Sequence, residues 1–362
     1  MIRFDGVSKV YPGGAVAVDN LGLTIPTGQI TVLVGPSGCG KTTSLRMINR
    51  MVKPTSGTIT VDGQDIARIR ASKLRRGMGY VLQDAGLFPH RTVLDNIGTV
   101  PRLLGWKRSR IQERARELLE RVGLEDDLAD RYPNQLSGGQ RQRVGVARAL
   151  AADPPVLLMD EPFSAVDPVV RDQLQSDLLA LQADLSKTIV LVTHDIDEAL
   201  RLGDQVAVLR RGGHLAQVGS PAELLAHPAD DFVADFLGRD RGYRSLAFAG
   251  MPRLTLHAER TVTLGEPLPA GGPPWVLVLD AGRPQGWVRT EEVHRPGRRV
   301  LVDDLERGGN VARLDSTPRE VLDAALSSPA GRGVIIDDQG EFVGTVVASE
   351  LLALLELERG QR

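Results

Sequence analysis

The chain has 362 residues, 42% hydrophobic and 25% charged, enough for an ordinary core and for more than one domain. Its formal net charge of −2 argues against nucleic acid as a partner, and the single cysteine, Cys39, excludes an internal disulfide framework and fits a reducing compartment. The N-terminus MIRFDGVSKV has no long apolar core of the signal-peptide kind, and no stretch approaches the ~20 apolar residues of a membrane helix, so the sequence predicts a soluble protein.

From Met1 to about Ala249, short β-branched runs alternate with helical patterns. Ile30–Val34 is the first such run, apolar on both faces, as a strand in a helix-covered parallel sheet would be. It leads into Gly35–Thr42, GPSGCGKT, which matches the phosphate-loop pattern G-x-x-x-x-G-K-[ST] and opens the helical segment TTSLRMINRM. The loop residues Gly35, Pro36, Ser37, Gly38, Cys39 and Gly40 can turn successive N–H groups toward phosphate oxygens, and the helix N-terminus adds positive potential. Lys41 is then expected to reach the β- and γ-phosphates of ATP, and the Thr42 hydroxyl to hold Mg²⁺, with Thr43 beside it. Cys39 reads first as a small residue tolerated in a tight loop, with no catalytic part, but Lys41 and that helix start nearby favour a thiolate, so maleimide is expected to inhibit ATPase activity and Mg-ATP to protect.

Further along, Gly79–Leu82 reads as a strand and Ser109–Val122 as an amphipathic surface helix. Leu136–Gln140 is LSGGQ, directly before the helix-compatible RQRVGVARALA. Ser137, Gly138, Gly139 and Gln140 at a helix start can form a second anion site, although an ordinary serine cap reads the same way in isolation. The apolar strand in VLLMDEP, Val156–Pro162, delivers two adjacent carboxylates at its C-terminal end, where ligands sit in an open α/β sheet. Asp160 is expected on Mg²⁺ and Glu161 on the attacking water. Thr188–Thr193 and Gln205–Leu209 complete the strand pattern.

The polar, Gly-containing FLGRDRGY around Phe236–Tyr243 marks the expected end of the first domain, placed at residues 1–243. The tail, residues 250–362, holds a weak internal repeat. Its first copy, Val276–Val293, reads strand (VLVLD), turn (AGRPQ), strand (GWVRT) and then acidic residues opening a helix. Its second, Val334–Leu351, reads VIID, a turn around DQG, FVGTVVA and Ser349 as the cap of a helix. Only the second copy has a helix before its strands, announced by Thr317, Pro318 and Glu320 as a capping box. The corresponding TLGEPLPAGGPP of the first copy cannot form one, so the repeat is lopsided. The only basic cluster in the tail, Arg295–Arg299, reads as a solvated loop.

LSGGQ between GPSGCGKT and VLLMDEP resembles the ATP-binding cassette (ABC) family, and the resemblance covers about two-thirds of the chain. It implies an α/β P-loop NTPase with a helical subdomain. By the same resemblance Tyr11 stacks on adenine, Gln83 touches Mg²⁺ and senses the nucleotide, and His194 contacts the γ-phosphate. The segment Ser164–Asp167, SAVD, is similar to the loop that crosses to the other protomer, which brings Asp167 to the nucleotide. The resemblance also implies a head-to-tail dimer with ATP between each phosphate loop and the partner's LSGGQ.

Segments GLFPHRTVLDNI, TVPRLLGW and FVADFLGRDRGYR look like the importer ATPases for glycine betaine, carnitine and choline, and the tail resembles the tandem CBS module those ATPases often carry. That implies transmembrane permease subunits, a substrate-binding protein, and a place on the cytoplasmic face of the membrane. The alternatives are an importer for an amino acid or an oxyanion, and a non-transport ABC ATPase.

Overall fold

Strand β1 (Ile2–Val10), β2 (Val16–Ile25), β4 (Ser56–Val61) and β5 (Gln64–Asp65) form an antiparallel sheet in the order β2-β1-β4-β5. The sequence pattern does not single out this sheet. A second sheet takes the apolar runs: β3 (Ile30–Val34), β6 (Met78–Val81), β7 (Val156–Asp160), β8 (Thr188–Thr193), β9 (Gln205–Arg210) and β10 (His214–Gly219), in the order β10-β9-β3-β8-β7-β6. Every neighbouring pair from β9 to β6 is parallel, and β10 closes the edge antiparallel to β9. The computed structural model describes residues 1–268, 272–291 and 298–360.

Because successive side chains of a strand point to opposite faces, the parallel sheet feeds two cores. Ile30, Val32 and Val34 of β3 join Leu157 and Met159 of β7, and Ile189 and Leu191 of β8, in one core with the helices Gly138–Leu150 and Pro168–Leu185. Leu33, Leu158, Val190, Val192, Ala207 and Leu209 face the other way, onto helix Lys41–Ile48 and the antiparallel sheet. A run that is apolar at every position is therefore explained by burial on both faces. Between β6 and β7 the chain is helical, with Val93–Ile97, Thr99–Leu103, Arg108–Arg121 and Gly138–Leu150. Arg108–Arg121 is the amphipathic helix read from Ser109–Val122; it buries Ile111, Ala115, Leu118 and Leu119.

The chain divides into two compact units, Met1–Gly238 and Arg239–Arg362. The division falls ahead of the expected end at residue 243. The cause lies in helix Arg241–Ser245 and the residue after it: Leu246 is buried in the second unit's core with Val321, Leu322 and Ile335, and Tyr243 packs against that cluster. The linker-like segment is thus divided: Phe236 and Leu237 pack in the first unit's core, while Tyr243 and the following Leu246 belong to the tail.

The second unit repeats one motif. β11 (Thr261–Thr263) pairs parallel with β12 (Trp275–Asp280), which forms a hairpin with β13 (Arg283–Arg289). β14 (Val311–Arg313), β15 (Arg332–Ile336) and β16 (Phe342–Val347) do the same. Both hairpins shift register at the same place, after Val278↔Gly286 in one and Ile335↔Gly344 in the other. Helix Pro318–Ser327 joins β14 to β15 behind the expected capping box of Thr317 and Glu320. The paired residues Val262 and Val278 stand 16 positions apart and Ala312 and Ile335 stand 23 apart, so the first copy is shorter by about two helical turns.

The closing helix of the second copy, Ala348–Gly360, begins one residue before the expected cap, so Ser349 sits inside its first turn. The acidic start expected for the first copy's closing helix falls partly on residues 292–293, and most of the Arg295–Arg299 cluster on 295–297; these lie outside the described residues. Leu277, Trp287 and Val334 form a shared core between the two sheets of this unit.

Candidate nucleotide site

The site is built where parallel strands end together. Val34 of β3 is in register with Thr193 of β8, Asp160 of β7 with Val192 of β8, and Val81 of β6 with Met159 of β7. The residues just past each strand, from Gly35, Glu161, His194 and Gln83, are therefore brought to one edge of the sheet.

The phosphate loop runs from β3 into helix Lys41–Ile48. Gly35, at φ +153°, lies so close to β9 that a Cβ there would meet the Leu209 carbonyl oxygen at 2.2 Å. At Gly40, φ +91°, a Cβ would meet the Ala17 oxygen at 2.1 Å. Only glycine fits either position. Pro36 accepts from the Cys39 N–H at 3.3 Å, Ser37 and Gly38 are exposed, and Thr43 is half-buried in the helix. Lys41 is 6% exposed and its Nζ donates to the carbonyl oxygens of Gly35 at 2.7 Å and Pro36 at 3.1 Å. Its ammonium is thus held over the loop by the loop's own backbone.

Cys39 departs from expectation. It is fully buried among Leu45, Met47 and Val18, and burial pushes its thiol pKa up despite Lys41 Nζ at 3.8 Å. Desolvation of the thiolate outweighs the nearby ammonium. The side chain is a packed small residue rather than a reactive thiol.

Thr42 Oγ1 donates to Asp160 Oδ1 at 2.8 Å, joining the phosphate loop to the end of β7. The other carboxylate oxygen, Oδ2, accepts from Tyr80 Oη at 3.3 Å and Arg46 Nη2 at 3.3 Å. Glu161 turns the chain at φ +48°, a left-handed conformation that costs a non-glycine residue about 1 kcal/mol. Its N–H donates to Val192 O at 2.9 Å, and its Oε2 lies 3.1 Å from His194 Nδ1. His194 stands on the turn after β8, which Asp195 stabilises by accepting from the N–H groups of Asp197 and Glu198.

Gln83 is exposed in the turn after β6. That turn is tied to helix Gly138–Leu150 by Arg148, which donates to Ala85 O at 2.7 Å and Gly86 O at 2.6 Å. Tyr11 is half-exposed at the β1–β2 connection, its N–H bonded to Ala15 O at 2.9 Å, with Lys9 Nζ 5.1 Å from its ring centre. Ser137 caps helix Gly138–Leu150: its Oγ accepts from the Gln140 N–H at 3.2 Å, and Gln140 Oε1 accepts from the Ser137 N–H at 2.8 Å. Asp167 caps helix Pro168–Leu185 by accepting from the Val170 N–H at 3.1 Å. Among the described residues no hydrogen bond joins Ser137–Gln140 or Asp167 to the phosphate loop.

Arg46, Tyr80, Arg148 and Glu198 do not stand out in the sequence. Each acts through its fold neighbours, and nothing in its local sequence pattern marks it. A Mg²⁺ ion fits the donor set. The Thr42 and Asp160 oxygens are hard donors, and this ion characteristically takes one or two protein oxygens and completes its shell from phosphates and water.

A glycine-rich loop, a buried lysine, a hydroxyl–carboxylate pair and a glutamate–histidine pair at one end of a parallel sheet, beside a helical insertion, define an ATP-binding cassette. The chain belongs to the ABC transporter ATP-binding family, ATPases coupled to transport. The family profile described as "ABC transporter" matches residues 18–164. The chain is similar to the choline transport ATP-binding protein OpuBA of Bacillus subtilis, 52% identical over 98% of this chain and 96% of that protein. The osmoprotectant import ATP-binding protein OsmV of Salmonella typhimurium is 42% identical over 100% of this chain and 98% of its own length. The glycine betaine/carnitine/choline transport ATP-binding protein OpuCA of Bacillus subtilis is 40% identical over 98% and 96%.

Among solved structures, a dimeric post-hydrolysis state of the cassette MJ0796 bound to ADP and Pi superposes with a TM-score of 0.55 at 33% identity, covering 61% of this chain and 99% of that one. The cbiO1 cassette of Clostridium perfringens gives 0.60 at 29% identity, covering 68% and 94%. No helix among the described residues is long and apolar enough to cross a membrane.

Proposed function

We propose that this chain is the energy-coupling ATPase of an importer for glycine betaine, carnitine or choline-type solutes. It would work as a dimer on the cytoplasmic face of the membrane, with permease subunits and a substrate-binding protein. The observation that carries the ATPase part is the convergence of Lys41, the Thr42–Asp160 pair and the Glu161–His194 pair at one edge of the sheet. Near full-length similarity to three osmoprotectant and choline transport ATPases supports the solute class.

The loop N–H groups and Lys41 bind the triphosphate, and Tyr11 supplies an exposed aromatic face for adenine. Thr42 and Asp160 would hold Mg²⁺, with Gln83 on the neighbouring strand end; the ion neutralises developing charge on the phosphates. Glu161 orients the attacking water and takes up its proton, while His194, held against Glu161 Oε2, stays placed for the γ-phosphate. The helix start at Ser137–Gln140 presents its cap to a second copy, and Asp167 lies on the loop that meets it. Phe88, Leu103 and Leu104 are exposed large apolar side chains in the segment after Gln83 and offer a permease a docking surface. The tail, with its doubled strand–hairpin motif, is read as a CBS-like regulatory unit.

The test is reconstitution with its cognate permease and binding protein. Choline or glycine betaine should stimulate ATP hydrolysis and be taken up at its expense. Stimulation by an amino acid or an oxyanion instead would overturn the solute class, and absence of Mg-dependent hydrolysis would overturn the ATPase.

A further inference from the structure

Helix Ile196–Leu202 carries a carboxyl to which the hydrolysis chemistry gives no role. Glu198 is 6% exposed. Its Oε2 accepts from Thr193 Oγ1 at 2.7 Å, and the same hydroxyl oxygen accepts from the Asp195 N–H at 3.0 Å. These two bonds brace the turn on which His194 stands. The second oxygen, Glu198 Oε1, is buried with no hydrogen-bond partner among the described residues.

A matching orphan lies on the helix that opens at Asp167. Arg171 Nε is likewise buried and without a partner among the described residues. The rest of its guanidinium is in use: Nη2 donates to Val166 O at 3.3 Å, and Nη1 lies 3.9 Å from Asp195 Oδ2. Arg171 therefore already touches both the Ser164–Asp167 loop and the histidine turn. Buried polar groups are normally satisfied, and Arg171 is near enough for its charge to act on the Glu198 carboxyl, so this unsatisfied donor and acceptor read as two halves of one interaction.

We propose that Glu198 is a positioning residue for ATP hydrolysis, pairing with Arg171 in the catalytically assembled state to tie the His194 turn to the Ser164–Asp167 loop. This rests on the assignment of Glu161 and His194 to the hydrolysis site. Burial pushes the Glu198 carboxyl pKa up to about 7; the Thr193 hydrogen bond opposes the rise, Asp195 and Glu161 add to it and Arg171 opposes it, so the group passes between its neutral and ionised forms around neutral pH. The charged and titratable groups facing it are Asp195, Arg171 and Glu161, the last against His194. Pairing with Arg171 requires the ionised carboxylate, so protonation opposes assembly and hydrolysis falls as pH drops through this range.

The experiment is steady-state Mg-ATP hydrolysis by the full-length protein as a function of pH. Glu198→Gln keeps an acceptor for Thr193 and cannot ionise. It should lower kcat by about tenfold, with the KM for ATP little changed, and flatten the inflection near neutrality. Arg171→Met should do the same, Arg171→Lys should recover part of the rate, and the double variant should be no worse than either single one. A Glu198→Gln protein with the parent's pH profile, or single effects that multiply in the double variant, would overturn the proposal. Should Glu198→Gln fold poorly, Arg171→Met reads the pair from its more exposed side, and an unshifted profile there overturns it equally. The underlying assignment fails separately: Glu161→Gln would then keep its ATPase whatever Glu198 does.

Discussion

At the scale of single residues, burial decides what the sequence leaves open. Cys39 sits two positions from Lys41, where a helix begins, and local sequence favours a thiolate. The fold instead seals it under Leu45 and Met47 and raises its pKa. The expected result is slow alkylation: maleimide should modify the native protein at a small fraction of the rate seen in denaturant, with or without Mg-ATP. Labelling as fast in the native state as in the unfolded one would contradict the burial. Asp160 makes the complementary point. Its place after an apolar strand is legible in VLLMDEP, but the Arg46 and Tyr80 contacts that orient it come from elements far off in sequence.

At the scale of elements, the parallel strands were readable because burial on both faces leaves an apolar run, and helix Pro318–Ser327 because its capping box is local chemistry. The antiparallel sheet was not, since Ile2–Val10 and Val16–Ile25 mix buried and exposed positions irregularly around register shifts. The phosphate loop and the strand-end acids were legible as motifs. Their convergence, and the bracing by Arg148 and Glu198, depend on pairings no linear pattern contains. Arg148 gives a test. Its guanidinium, largely desolvated, satisfies two carbonyls of the turn that carries Gln83. Arg148→Met should leave both unpaired and destabilise the first unit by about 2–4 kcal/mol, read as a lower urea midpoint, with ATPase activity falling alongside. An unchanged midpoint would show that this bracing is replaced by solvent at no cost.

At the scale of the whole molecule, two units with separate cores share one chain, and the residues proposed for chemistry all lie in Met1–Gly238. A chain ending at Gly238 should therefore remain a folded, Mg-dependent ATPase. One ending at Leu246 should expose Tyr243 and Leu246, which belong to the other core. If the tail regulates, the shortened chain should lose part of the response of transport to ionic strength in the assembled transporter, because such regulation would be a coupling free energy laid over intact chemistry; identical salt curves would reduce the tail to a structural role. The central claim, a cassette that closes on ATP as a dimer and hydrolyses it with Glu161, is tested most directly by one variant. Size-exclusion chromatography of Glu161→Gln with Mg-ATP should show a stable dimer retaining uncleaved nucleotide, with turnover reduced ~10²–10³-fold or more. A protein that stays monomeric with ATP bound, or that hydrolyses ATP at the parent rate, would contradict the account.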